Sequence, residues 1–172
     1  YTIGENNITN SGTIKIGNSS SQAEAGVGIY ADNVNSSINN TALGVISVGD
    51  NSVGIYNVDG TIVNDGEIIT GDGGTGIYST GGTINLNSGS SIKVGNNDAV
   101  GVYLIDQTGV LTNNSTVSIG DGSYGFVFMG TTTPSFVNNE SSSIGNNSVF
   151  VFSDTSLNVD NNGILTMTGS DN

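Results

Sequence analysis

The sequence contains no cysteine, no histidine, no tryptophan and no arginine, and a single proline, Pro134. Without cysteine there is no disulfide and no thiolate nucleophile. Without histidine the commonest metal ligand is gone, and so are the Ser-His and Cys-His pairs of covalent catalysis. Two lysines stand against 15 acidic residues, for a formal net charge of −13. Two cations cannot neutralise a phosphate backbone, which argues against a nucleic-acid partner, and the same deficit argues against anionic membrane surfaces. No run of 18 apolar residues occurs, so no helical membrane span is expected. Apolar residues make up 34% and aromatics 6% of the 172 residues, little for an ordinary globule.

What is present is glycine, asparagine, serine and threonine, which together supply 93 of the 172 positions. Such a composition resembles disorder, but isoleucine and valine recur throughout and blocks of like charge are absent. The recurrence is periodic. A four-residue string ending in an aromatic reads Val27-Gly28-Ile29-Tyr30, Val53-Gly54-Ile55-Tyr56, Thr75-Gly76-Ile77-Tyr78 and Val100-Gly101-Val102-Tyr103, then degenerates to Gly125-Phe126-Val127-Phe128 and Val149-Phe150-Val151-Phe152. Its aromatic ends are 22 to 26 residues apart. In phase with it runs an alternating apolar pair followed by Gly and then Asn or Asp, as in Ile14-Lys15-Ile16-Gly17-Asn18, Ile46-Ser47-Val48-Gly49-Asp50 and Val117-Ser118-Ile119-Gly120-Asp121. A third anchor places an apolar residue two positions before an asparagine: Ile8/Asn10, Ile38/Asn40, Ile62/Asn64, Leu111/Asn113 and Phe136/Asn138.

Each repeat thus holds three short runs with period-two alternation and β-branched enrichment, separated by residues that accept tight turns. Three such strands cannot bury their apolar faces alone, and stacking each repeat on the next does so. The expected fold is all-β: a right-handed parallel β-helix (β-solenoid), triangular in section, with three strands per rung and about seven rungs of 22–26 residues. At ~4.8 Å per rung the rod would be roughly 34 Å long. Expected inward columns are Ile14/Ile46/Ile68/Ile92/Val117, Ile16/Val48/Ile119 and Ile29/Ile55/Ile77/Val102/Val127/Val151. Asn10, Asn40, Asn64, Asn113, Asn138 and Asn161 share one phase, which predicts a ladder of side-chain amides bonded along the stack.

Repeats of the form N-x-G-x-I-x-[IV]-G-[ND]-x-S-x-G-I-Y resemble the passenger regions of large fusobacterial autotransporter adhesins, which are type V secreted proteins. Asn64-Asp65-Gly66-Glu67-Ile68-Ile69-Thr70-Gly71-Asp72 followed by Gly76-Ile77-Tyr78 is the nearest stretch. The resemblance covers the whole chain but rests on repeat style. It implies a right-handed β-helix on the outer surface of a Gram-negative cell, anchored by an outer-membrane barrel downstream. It also implies attachment to host-cell or bacterial surface proteins or glycans. No binding residue is defined by a family motif. The departure lies in the last two strings, where Phe126 and Phe150 are read as replacing the glycine.

Enzymes also use the β-helix, but their chemistry needs a general base and usually a cation for developing charge. Here Lys15 and Lys93 fall at equivalent outward positions in different rungs. Asp50 and Asp72 form a carboxylate pair one rung apart, yet their column also carries Asn18, Asn96, Asp121 and Asn146, which reads as a turn requirement that either residue meets. No catalytic residue, cofactor or metal site is expected. Gly71-Asp72-Gly73-Gly74 lacks the nonapeptide period of calcium-binding solenoids.

Two features are candidates for partner binding. If the isoleucine column points inward, the aromatic ends point outward, and Tyr124, Phe126, Phe128, Phe150 and Phe152 would form an exposed apolar patch. The competing disposition is a bent strand whose rings stack within the core. The second feature is an insertion: ten residues, Asn18 to Val27, separate Gly17 from Gly28, where later repeats have four or five. Insertions in solenoids become loops on one face, so Ser19 to Ala25, with Ser19, Gln22 and Glu24, is read as a protruding contact loop. At the ends, Tyr1 looks like the close of a further aromatic string, and Gly169 to Asn172 stop where the next should begin. Residues 1–172 are therefore expected to be a single solenoid segment of a longer rod, or a unit that self-associates end to end.

Overall fold

The computed structural model describes residues 2–169; Tyr1 and the last three residues lie outside it, and with them the expectation for Tyr1. The chain is an all-β parallel solenoid. Three seven-stranded sheets run along it, and each strand pairs in parallel with its counterparts one repeat earlier and later. A representative coil gives Val53–Val58 to the first sheet, Thr61–Asn64 to the second and Glu67–Thr70 to the third. The only helical element among the described residues is the three-residue 3-10 turn Gln22–Glu24.

Like residues pile on like. In the third sheet Ile14, Ile46, Ile68, Ile92 and Val117 pair successively, and in the second Ile8, Ile38, Ile62 and Ile84 do so. Ile38, Ile46, Ile62, Ile68 and Ile92 are fully enclosed. Each such side chain contributes about 1.5–3 kcal/mol relative to an exposed one, so the core, though thin, is continuous along the axis.

The asparagine phase is a ladder, buried from Asn10 to Asn138 and exposed at Asn161. Asn10 donates to Asn40 Oδ1 at 2.9 Å and Asn40 to Asn64 Oδ1 at 2.8 Å. Leu86 occupies the next position of the column. The ladder resumes with Asn113 donating to Asn138 and Asn138 to Asn161, both at 2.8 Å. Backbone carbonyls take the remaining amide hydrogens, as Gly66 O does from Asn64 and Ser115 O from Asn113. A polar interior column persists because each amide finds a partner on its neighbour; an unpaired one would cost about 1–3 kcal/mol.

First-sheet strands depart from simple alternation. In Val53–Val58, Gly54 and Ile55 both face inward before Tyr56 faces out. The glycine makes this kink possible: a Cβ on Gly54 would lie 2.4 Å from Gly76 O, and one on Gly76 2.6 Å from Gly101 O. Gly101 and Gly125 continue the same close approach.

That column corrects the reading of the last two strings. Val102 pairs with Phe126, Tyr103 with Val127 and Leu104 with Phe128. Gly125, not Phe126, holds the glycine position, so the aromatic string is displaced by one residue, and Phe126 rather than Val127 continues the isoleucine column. Phe150 does replace the glycine; its strand is the last of the first sheet, so no described carbonyl lies above it. Phe126 and Phe128 are almost completely buried and Phe150 largely so. With Phe136 they form one cluster, ring centroids 4.6 to 6.0 Å apart along Phe126–Phe136, Phe126–Phe150, Phe128–Phe136 and Phe136–Phe150. These three phenylalanines are core, and the expected exposed patch is lost at Phe126, Phe128 and Phe150. The rod's interior changes from aliphatic to aromatic toward its later coils.

Candidate binding face

The outer face of the first sheet carries what the kinked strands turn outward. Tyr30, Tyr56, Tyr78 and Tyr103 pair in one column. Their rings stack, with centroids 4.9, 4.8 and 5.3 Å apart and planes within 14°. Of the two dispositions open from sequence, the rings take neither in full: they stack as a ladder, but on the outside and half-buried. Each stacked pair adds about 0.5–1.5 kcal/mol beyond the area it buries. Burial, and then the neighbouring Tyr56 and Tyr103 phenols, raise the Tyr78 hydroxyl above its ordinary value of 10.0. Val27, Val53, Thr75 and Val100 form the adjoining outward column.

The inserted loop folds back over this face. Ser19 is fixed by its backbone: its N donates to Asp50 O and its carbonyl accepts from Asn51 Nδ2, while its hydroxyl accepts from Gly26 N and meets Ser52 Oγ at 3.0 Å. Gln22 Nε2 then reaches Gly73 O at 2.9 Å. Glu24 is exposed and bonded to the Ser20 hydroxyl. Between this loop and the ladder lies a groove of about 740 Å³, lined by Gln22, Ala23, Ala25, the two columns and Asp98. Of the candidate residues, Gln22 lines the groove and Ser19 and Glu24 hold the loop beside it. Tyr124 pairs in the valine column and Phe152 in the tyrosine column, through Val127. Their rings meet edge-on at 6.2 Å, with Phe152 43% exposed. Half-buried Tyr124 and exposed Phe152 are what remains of the expected patch, further along the same face.

Carboxylates border the face on both sides. Asp50, Asp72, Asp98 and Asp121 precede first-sheet strands, and Asp32, Asp59, Asp106 and Asp154 stand at or just beyond their ends. The column of Asp50 and Asp72 caps backbone from coil to coil. Asp50 Oδ1 accepts from Asp72 N at 3.0 Å, Asp72 Oδ1 from Asn96 N at 2.9 Å, Asn96 Oδ1 from Asp121 N at 2.8 Å and Asp121 Oδ1 from Asn146 N at 2.8 Å. The Asn96 N–H holds Asp72 below its ordinary value of 3.8; desolvation opposes it and the Asn97 and Asn96 amides help. Both lysines lie elsewhere, on the third sheet, where Lys93 pairs with Glu67. Among the described residues no three acidic side chains converge as a metal-ligand set would.

The sequence did not reveal the groove. Its signals were there separately, four tyrosines at one phase and an insertion beside the first of them, but nothing in the string says on which side of the sheet the loop lies. Comparison of the chain with protein-family models, curated proteins and solved structures finds no match.

Proposed function

We propose that this chain is a non-enzymatic segment of a bacterial cell-surface adhesin, exported by the autotransporter route and anchored through an outer-membrane barrel elsewhere in its parent. The solenoid serves as a rigid stalk, and the outer face of the first sheet contacts a host-cell or bacterial surface partner. The observation that carries this reading is the groove over the tyrosine ladder, a concave surface on an otherwise repetitive rod. The capping bonds of Asp50 and Asp72 support a structural rather than catalytic use for the carboxylate pair.

The test is adhesion of beads coated with the chain to bacterial and host cells. Binding above uncoated beads is expected, with loss in the double variant Tyr56→Ser/Tyr78→Ser provided its far-ultraviolet circular dichroism is retained. Equal binding by that variant, or none by the parent chain, would overturn the reading.

A second reading is end-to-end assembly into a filament through the strand edges of the solenoid. Electron microscopy separates the two: discrete short rods support the stalk, long fibres the filament.

A further inference from the structure

Resting on the reading that the first sheet's outer face is the contact surface, we propose that the groove over Tyr30, Tyr56, Tyr78 and Tyr103 takes a basic, lysine- or arginine-bearing peptide segment of a partner protein rather than a neutral glycan.

The charge layout comes first. Six of the chain's 15 acidic residues flank the four strands under the groove, Asp50, Asp72 and Asp98 before them and Asp32, Asp59 and Asp106 at or just beyond their ends; Asp98 lines the groove, and Glu24 stands on the loop beside it. Neither lysine is on this face, so no internal cation competes for it. Acidic borders on both sides of a groove attract a cationic segment and repel an acidic one.

Ring geometry points the same way. A sugar ring stacks on an open aromatic face. Here each inner ring is covered on both sides by its neighbours at 4.8 to 5.3 Å, so the ladder offers solvent its edges and phenol oxygens. Phenol oxygens accept hydrogen bonds from ammonium and guanidinium groups. At the first step of the ladder the Tyr30 hydroxyl lies 3.5 Å from Asp32 Oδ2, which brings a phenol and a border carboxylate within reach of one cationic head. The apolar column of Val27, Val53 and Val100 beside the ladder is a floor for the methylene stems that lysine and arginine bury while keeping the head in polar surroundings.

The experiment is a nuclear magnetic resonance titration of the isotopically labelled chain with three probes: an octapeptide of alternating arginine and serine, an all-serine/asparagine octapeptide, and a neutral chito-oligosaccharide. The basic peptide is expected to shift the rings of Tyr56, Tyr78 and Tyr103 and the amide of Asp98, and the neutral peptide to leave them unmoved. Affinity should fall ~10-fold or more between 50 and 500 mM salt. The triple variant Glu24→Gln/Asp32→Asn/Asp98→Asn should bind ~10-fold more weakly. The triple variant Glu5→Gln/Glu140→Gln/Asp160→Asn removes the same charge elsewhere and should match the parent within about twofold. Equal losses in the two triples would reduce the effect to net charge and overturn the proposal. Shifts of the same tyrosines by the oligosaccharide alone would overturn the ligand class while leaving the contact face standing. Cell adhesion lost on Tyr56→Ser/Tyr78→Ser, with no response to the basic peptide, would sink this inference and not the adhesin reading.

Discussion

Asn40 donates its side-chain amide to Asn64 Oδ1 at 2.8 Å inside the rod, where neither residue touches solvent. The bond repeats along the axis, so Asn40 and Asn138 each donate to the next coil and accept from the one before. Removing one member therefore strands its neighbours. Asn64→Ala takes away the acceptor of Asn40 and opens a small void. It is expected to lower stability by about 1–3 kcal/mol, read as a shifted denaturant midpoint. A loss below about 0.3 kcal/mol would show that the ladder is incidental to folding.

Glycine 76 should be intolerant of the smallest possible change. Gly76→Ala places a methyl 2.6 Å from Gly101 O, a backbone atom that moves only if two coils separate. Overpacking of this kind costs about 1–3 kcal/mol. Gly12→Ala, where nothing lies within 4 Å, is the matched control and should be neutral or slightly stabilising. Similar melting temperatures for the two variants would contradict the close-approach account of the kink.

Acid should weaken the cap at Asp72. Its carboxyl is held below 3.8, so the ionised form is the one the fold favours. The contribution is fully present above pH 3.8 and is lost as pH falls through the lowered value. Asp72→Asn keeps an acceptor for Asn96 N–H but cannot titrate. Below pH 3.8 its stability should therefore fall less steeply than the parent's, in parallel denaturation curves across pH 2 to 6.

At the alkaline end the sign reverses. Tyr78 is held above 10.0, so its neutral phenol is the favoured form. Stability from this group is present below pH 10.0 and lost as pH rises through the raised value. Ultraviolet titration should show late ionisation of Tyr78, and Tyr78→Phe should remove that late step. An unchanged titration curve in Tyr78→Phe would contradict the assignment.

The period, the three strands per coil, the isoleucine columns and the asparagine phase were all legible in the residues, because stacking converts sequence recurrence directly into spatial register. Two things were not. The aromatic string misled at residues 124–128, since Tyr124, Phe126 and Phe128 alternate and any of them could close the motif. The steric marker of phase is the glycine that a neighbouring carbonyl crowds, and Gly125 sets it. The half-burial of the tyrosines comes from the mutual stacking of their rings at 4.8 to 5.3 Å, which strand alternation by itself does not show. The groove depends on where an inserted loop lies down, and that is decided by contacts such as Gln22 to Gly73 between residues 51 positions apart.

The pairing of every strand with its counterpart in the next coil has a mechanical consequence. Inter-strand hydrogen bonds then run along the rod, so tension applied at its two ends loads them one layer at a time instead of all together. Under load the rod is expected to pay out chain stepwise, each coil of about 25 residues releasing roughly 80 Å, and so to act as a shock absorber between two bodies that drift apart. Single-molecule pulling would show this as a regular series of small rips; one abrupt, all-or-none rupture would contradict it.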